Sequence, residues 1–180
     1  MSTVIGVSGR MNSGKTTLTN ELAKKLDCKV VSFGDYVRKL AAERGLPLER
    51  IQLQKLGQDL VDNNLHSFCL EVISQGNEKP YNTLIIDGIR HKVVLQKIKE
   101  LIPSQNFFFV FIKTTEEVLI ERDETRPLST PRELLEKDPT EIEVVNSLES
   151  FADIVIDNSS DIRISCDLII TRLCLNKEMN

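Results

Sequence analysis

Gly9-Arg10-Met11-Asn12-Ser13-Gly14-Lys15-Thr16 fits the pattern G-x-x-x-x-G-K-[ST] without a mismatch. That spacing suits chemistry on phosphate. The glycines allow a tight turn whose backbone N–H groups can face anionic oxygens, and a helix opening at the end of the turn adds its positive pole. Lys15 is the side chain expected to reach the outer phosphates of ATP, and Thr16 supplies a hydroxyl suited to the shell of a Mg²⁺ ion, with Thr17 behind it. Residues Gly9 to Thr17 are therefore the candidate donor-binding segment. The pattern does not itself distinguish transfer, hydrolysis and switching.

Three further groups of residues bear on that choice. Asp35 and Arg38 stand three apart in "GDYVRKL", so they share a face of a short helix. Arg38 could hold an acceptor phosphate bidentately, while Asp35 could orient or deprotonate an acceptor hydroxyl; a helix-start aspartate beside a solvated arginine is the plain alternative. Asp87 ends the apolar run "TLII". A carboxylate there is costly to bury unless it is hydrogen bonded or serves a cation, so it joins Thr16 as a candidate magnesium position. Arg90 follows in the next turn as a second candidate acceptor contact. Arg122 and Arg126 lie one helical turn apart where a polar segment begins, placed to neutralise a migrating phosphoryl group or else to pair with neighbouring acids.

The elements that must position these residues alternate along the chain. "TVIGVSG", "CKVVSF", "NTLIID", "FFFVFIK" and "ADIVIDN" read as strands, and the segments between them carry apolar residues at helical spacing, as in Leu18, Leu22 and Leu26. Strands that are almost wholly apolar and separated by helices predict a parallel sheet covered on both faces. Gly57 interrupts a long helical stretch, where it suits close packing or a bend. Residues 122–143 are rich in charge and proline and predict a mobile polar lid, in which Arg132 and Lys137 are lesser candidates. A length of 180 residues fits one domain, residues 1–180.

Composition narrows the partners. The net charge of −4 and the absence of tryptophan disfavour long nucleic acid, which asks for a basic face or a stacking platform, whereas a local nest of donors can still hold one phosphorylated small molecule. The apolar run from Phe107 to Ile112 is too short to span a bilayer, and no secretory pattern opens the chain, so a cytoplasmic protein without a membrane partner is expected. Four scattered cysteines without a C-x-x-C pair read as reduced, buried thiols.

Taken together, "GVSGRMNSGKTT", "SFGDYVR", "LIIDGIR", "IERDETR" and "ADIVIDN" resemble the nucleoside monophosphate kinase group of P-loop kinases, including its dephospho-coenzyme A kinase-like members. The resemblance implies a P-loop NTPase-type α/β fold, with a parallel five-stranded sheet, helices on both faces and a mobile lid. It implies ATP and Mg²⁺ at the loop, an acceptor-binding helical region at about residues 35–75 with Asp35 and Arg38 in it, an acceptor contact at Arg90, and lid arginines at Arg122 and Arg126. The expected acceptor is a small phosphorylated nucleotide-like molecule: a nucleoside or deoxynucleoside monophosphate, with a ribose hydroxyl of dephospho-coenzyme A as the alternative. A regulatory P-loop NTPase is a third possibility.

Overall fold

A computed structural model describes residues 3–76, 82–125, 131–135, 137, 139–158 and 161–178. Five strands form one parallel sheet in the order β2-β3-β1-β4-β5, with β1 Thr3–Gly9, β2 Lys29–Ser32, β3 Thr83–Asp87, β4 Asn106–Lys113 and β5 Ile154–Asp157. All seven residues of β1 are buried. A central parallel strand is covered on both faces, which is why its sequence is apolar throughout instead of alternating.

Alternate residues of each strand feed two cores. Ile5, Val7, Ile85, Phe108, Val110 and Ile112 face α1 (Lys15–Leu26) and α8 (Ile162–Glu178), where Leu18, Leu22, Cys166 and Ile169 meet them. Val4, Ile86, Phe109 and Phe111 face the other way, toward α2 (Phe33–Glu43), α3 (Arg50–Ser74) and α4 (Lys92–Leu101). The sheet predicted from the strand composition is the sheet observed. After β4 come α5 (Glu116–Thr125), α6 (Arg132–Leu135), α7 (Pro139–Asn146) and a 3₁₀ turn at Leu148–Phe151.

Two local features differ from expectation. The bend in α3 falls at Asn64, whose φ of −141° and ψ of 29° leave the helical region, and not at Gly57. Nor does Gly57 mark tight packing, because a Cβ placed there would meet only Val37 Cγ2, at 3.9 Å. Near the end of the charged segment 122–143, α7 buries Glu141, and Val144 one turn on enters the core. The four cysteines are free thiols, of which Cys174 is exposed.

Candidate active site

The register of the sheet gathers the site. Val7 pairs with Asp87 and Ser32 pairs with Asp87, so the carboxyl ends of β1, β2 and β3 finish side by side. Loops that leave strand ends on the inner part of an open parallel sheet define the crevice in which such folds bind ligands. β1 runs directly into the glycine turn, β2 into α2, and β3 into the turn that carries Arg90.

The turn itself needs its glycines. Gly9 and Gly14 have φ values of 150° and 86°, and a Cβ at Gly14 would come within 2.3 Å of Asn158 Nδ2. Left-handed backbone disfavours any residue with a side chain, so sequence and geometry agree on this point. Asn158, at the end of β5, ties the loop down by donating from Nδ2 to Ser13 O at 2.8 Å. Arg122 completes the tie, donating to Asn12 O at 3.1 Å and to Asn158 O at 2.8 Å. Asn12 also donates to Asp123 Oδ1, and Arg132 grips the same carboxylate, Nη2 donating to Oδ1 and Nε to Oδ2. The Asp123 carboxyl is held below its usual range, first by Arg132 and then, against partial burial, by Asn12.

Lys15 Nζ lies 2.7 Å from Gly9 O and 2.6 Å from Arg10 O, donating to both. Loss of hydration, then the nearby Arg90 charge, pushes its pKa down to about 7, while Asp87 and Glu141 pull it up. Asp87 shifts the opposite way: burial raises its carboxyl, and Lys15 and Arg90 oppose the rise. Its Oδ1 is buried with no hydrogen-bond partner among the described residues. An orphaned carboxylate oxygen facing a phosphate loop, in the same cavity as Thr16, fits a hard cation that takes oxygen ligands.

That cavity, of about 520 Å³, is lined by Lys15, Thr16 and Asp87, by Arg38, Arg50 and Arg90, and by the apolar side chains of Phe33, Val37, Leu53, Val61 and Phe68. A smaller one, of about 350 Å³, lies on the other side of the loop between Thr17, Arg122, Thr125 and Asn158. The sequence candidates therefore divide. Met11, Arg38, Asp87 and Arg90 line the first cavity, Gly14, Thr17 and Arg122 line the second, and Asn12, Lys15 and Thr16 line both. Asp35 lines neither. Its backbone N–H donates to Ser32 Oγ, making Ser32 the cap of α2, and its carboxylate, 71% exposed, accepts from Arg38 at 2.5 Å. Arg10 turns outward to Glu116 at 2.6 Å. Arg126 lies outside the described residues.

Sequence reasoning missed Arg50, Gln54 and Glu141. Glu141, only 4% exposed, takes an ion pair from Arg90 and a second from Arg50 Nη2 at 3.4 Å. Burial alone would raise its carboxyl, but Arg90, Lys15 and Arg50 outweigh burial and hold it below its ordinary value. Two residues on, Glu143 accepts from Lys92 N at 2.6 Å and meets His91 Nδ1 at 2.8 Å. Two carboxylates of α7 thus brace three consecutive residues of the turn after β3.

Fold and site define the class: the chain has the fold of the P-loop NTPases and is related to small-molecule kinases. Residues 5–161 match the model of a family described as AAA domain, and the chain belongs to that family. It superposes on a gluconokinase from Sinorhizobium meliloti 1021 over 98% of its own length and 95% of that chain, with a TM-score of 0.64 and 18% identity, a likeness of fold. In sequence it is 29% identical to a cytidylate kinase of Pyrobaculum islandicum over 178 residues, 94% of each chain. It is 32% identical over 145 residues, 77% of its length, to a UPF0200/UPF0201 protein of Archaeoglobus fulgidus, and it spans 44% of that relative. No helix among the described residues is long and apolar enough to cross a membrane.

Proposed function

We propose that this chain transfers the terminal phosphoryl group of ATP to the phosphate of a nucleoside or deoxynucleoside monophosphate. The observation that carries the reading is the single cavity joining the phosphate loop to three arginines and an apolar wall. A phosphate acceptor needs cationic donors at one end, and a planar base needs apolar surface at the other.

The residues divide the work. The turn from Gly9 to Thr16 presents backbone N–H groups to the donor phosphates, and Lys15 leaves its carbonyl partners to bind the outer ones. Thr16 and Asp87 would hold Mg²⁺, which when bound supplies positive charge against the phosphate oxygens. Arg38 and Arg90 orient the acceptor phosphate, with Arg50 beside them. Arg122 places a guanidinium at the loop from the other side and lowers the cost of charge that builds during transfer. Catalysis on this scheme is positioning and electrostatics, and an acceptor phosphate already carries an ionised oxygen. Asp35, exposed and paired with Arg38, tunes the acceptor arginine more readily than it serves as a base. That pairing favours a phosphate over a ribose hydroxyl as acceptor. The segment 122–143 acts as the lid.

The test is ADP formation with ATP and Mg²⁺ across nucleoside monophosphates, their deoxy forms and dephospho-coenzyme A. Turnover that depends on a monophosphate supports the reading. Turnover only with dephospho-coenzyme A moves the acceptor to a hydroxyl, and slow ADP release indifferent to every acceptor makes the chain a regulatory NTPase.

A further inference from the structure

Three residues on one face of α3, Gln54, Gly57 and Gln58, line the acceptor cavity. They are spaced i, i+3 and i+4, so they stand together over about one turn. Their roles differ. Gln58 donates its amide to Asp62 Oδ1 at 2.9 Å. Gly57 leaves bare backbone, since the only atom a Cβ would meet is 3.9 Å away. A glycine inside a helix costs about 1 kcal/mol relative to alanine, so the position sacrifices helix stability for open space facing the cavity. Gln54 differs from both: its Nε2 is buried and has no hydrogen-bond partner among the described residues.

A buried donor without a partner is a cost that a folded chain rarely keeps unless something else satisfies it. Leu53, Val61 and Phe68, which line the cavity with it, carry no side-chain acceptor, and Gln58 directs its own amide nitrogen to Asp62. Arg38, Arg50 and Arg90 line the same cavity, Arg50 one helical turn before Gln54 on α3.

We propose that Gln54 is the residue that reads the acceptor's base, its Nε2 donating to a ring carbonyl oxygen while the bare Gly57 backbone lets the ring lie against α3. The inference rests on the monophosphate kinase reading and deepens it, because it names the class of base. Cytosine, uracil, thymine and guanine carry a ring carbonyl; adenine carries none. A site built to hydrogen-bond a group discriminates strongly against an analogue that lacks it, since the buried donor is then left unmet.

The experiment compares the KM values of wild type and Gln54→Leu for CMP, UMP, GMP and AMP, with the thermal midpoint of each protein measured without nucleotide. The wild type is expected to favour at least one carbonyl-bearing monophosphate over AMP by about tenfold or more in KM. Gln54→Leu is expected to raise that KM by a similar factor and to move the AMP value far less. Its midpoint should equal or exceed that of wild type, because removing an unpaired donor removes a cost. Wild-type preference for AMP, equal KM values across the four, or unchanged values in Gln54→Leu each overturn the proposal while leaving the kinase reading intact. A midpoint lowered by several degrees also overturns it, since the amide would then have a structural partner. No turnover of any monophosphate by wild type overturns the kinase reading itself.

Discussion

Arg90 and Glu141 form an ion pair across 51 positions of sequence, and the carboxylate is almost completely buried while the guanidinium still faces the acceptor cavity. The pair fixes one edge of the arginine and leaves the other available. Glu141 serves Arg50 in the same way, so one carboxylate holds two cations that would otherwise repel each other.

Replacing Glu141 by glutamine should therefore damage both stability and acceptor binding. Breaking a buried pair from one side costs about 3–5 kcal/mol in general, and the low end applies here because Arg90 and Arg50 are 23% and 29% exposed. Denaturant unfolding should show that loss, and steady-state kinetics should show a raised KM for the acceptor with the KM for ATP little changed. An ATP effect equal to the acceptor effect would mean that Glu141 supports the loop and not the clamp.

Arg122 spans two carbonyl oxygens, those of Asn12 and Asn158, with two nitrogens of one planar group. Arg122→Ala should lower kcat by about a thousandfold or more, the scale on which arginines act on a migrating phosphoryl group. Arg122→Lys should recover little, because a lysine cannot present that fork. A full recovery in the lysine variant would reduce the role of Arg122 to charge alone.

Lys15 gives the fold a pH dependence that can be signed. Its proton is held more weakly in the folded chain, near pH 7, than in an unfolded chain, near 10.5. Between those values the unfolded state binds the extra proton, so stability rises with pH across the window, by at most about 1.4 kcal/mol per pH unit. Below about pH 7 the folded chain carries the buried charge and the contribution is flat at its least favourable level. Urea unfolding of wild type and Lys15→Met at about pH 6.5 and about pH 9, without nucleotide or magnesium, should show the wild type gaining on the variant as pH rises. A constant difference between them would contradict the shift.

Most of the scaffold was legible in the sequence because the signals are local. Continuous apolar runs marked the buried strands, and the glycine spacing around Lys15 marked a turn whose φ values require glycine. Asp87 was legible for a related reason, since a carboxylate at the end of an apolar strand asks for a partner. Arg50 and Glu141 gave no such signal. A lone charge beside an isoleucine on a helix reads as solvated, and these two partners lie 91 residues apart in the chain. Gln54 was hidden in the same way. The bend at Asn64 shows the limit of propensity: Gly57 was the residue able to bend, but the break falls seven residues later.

The central claim is that phosphate leaves ATP for a monophosphate and not for water. The most direct measurement is a product inventory by anion-exchange chromatography after incubation of the protein with ATP, Mg²⁺ and each monophosphate in turn, with Lys15→Ala in parallel. The account predicts one nucleoside diphosphate formed mole for mole with ADP, no matching release of inorganic phosphate, and neither product from Lys15→Ala. ADP accompanied by an equal amount of inorganic phosphate, with every acceptor recovered unchanged, would contradict it.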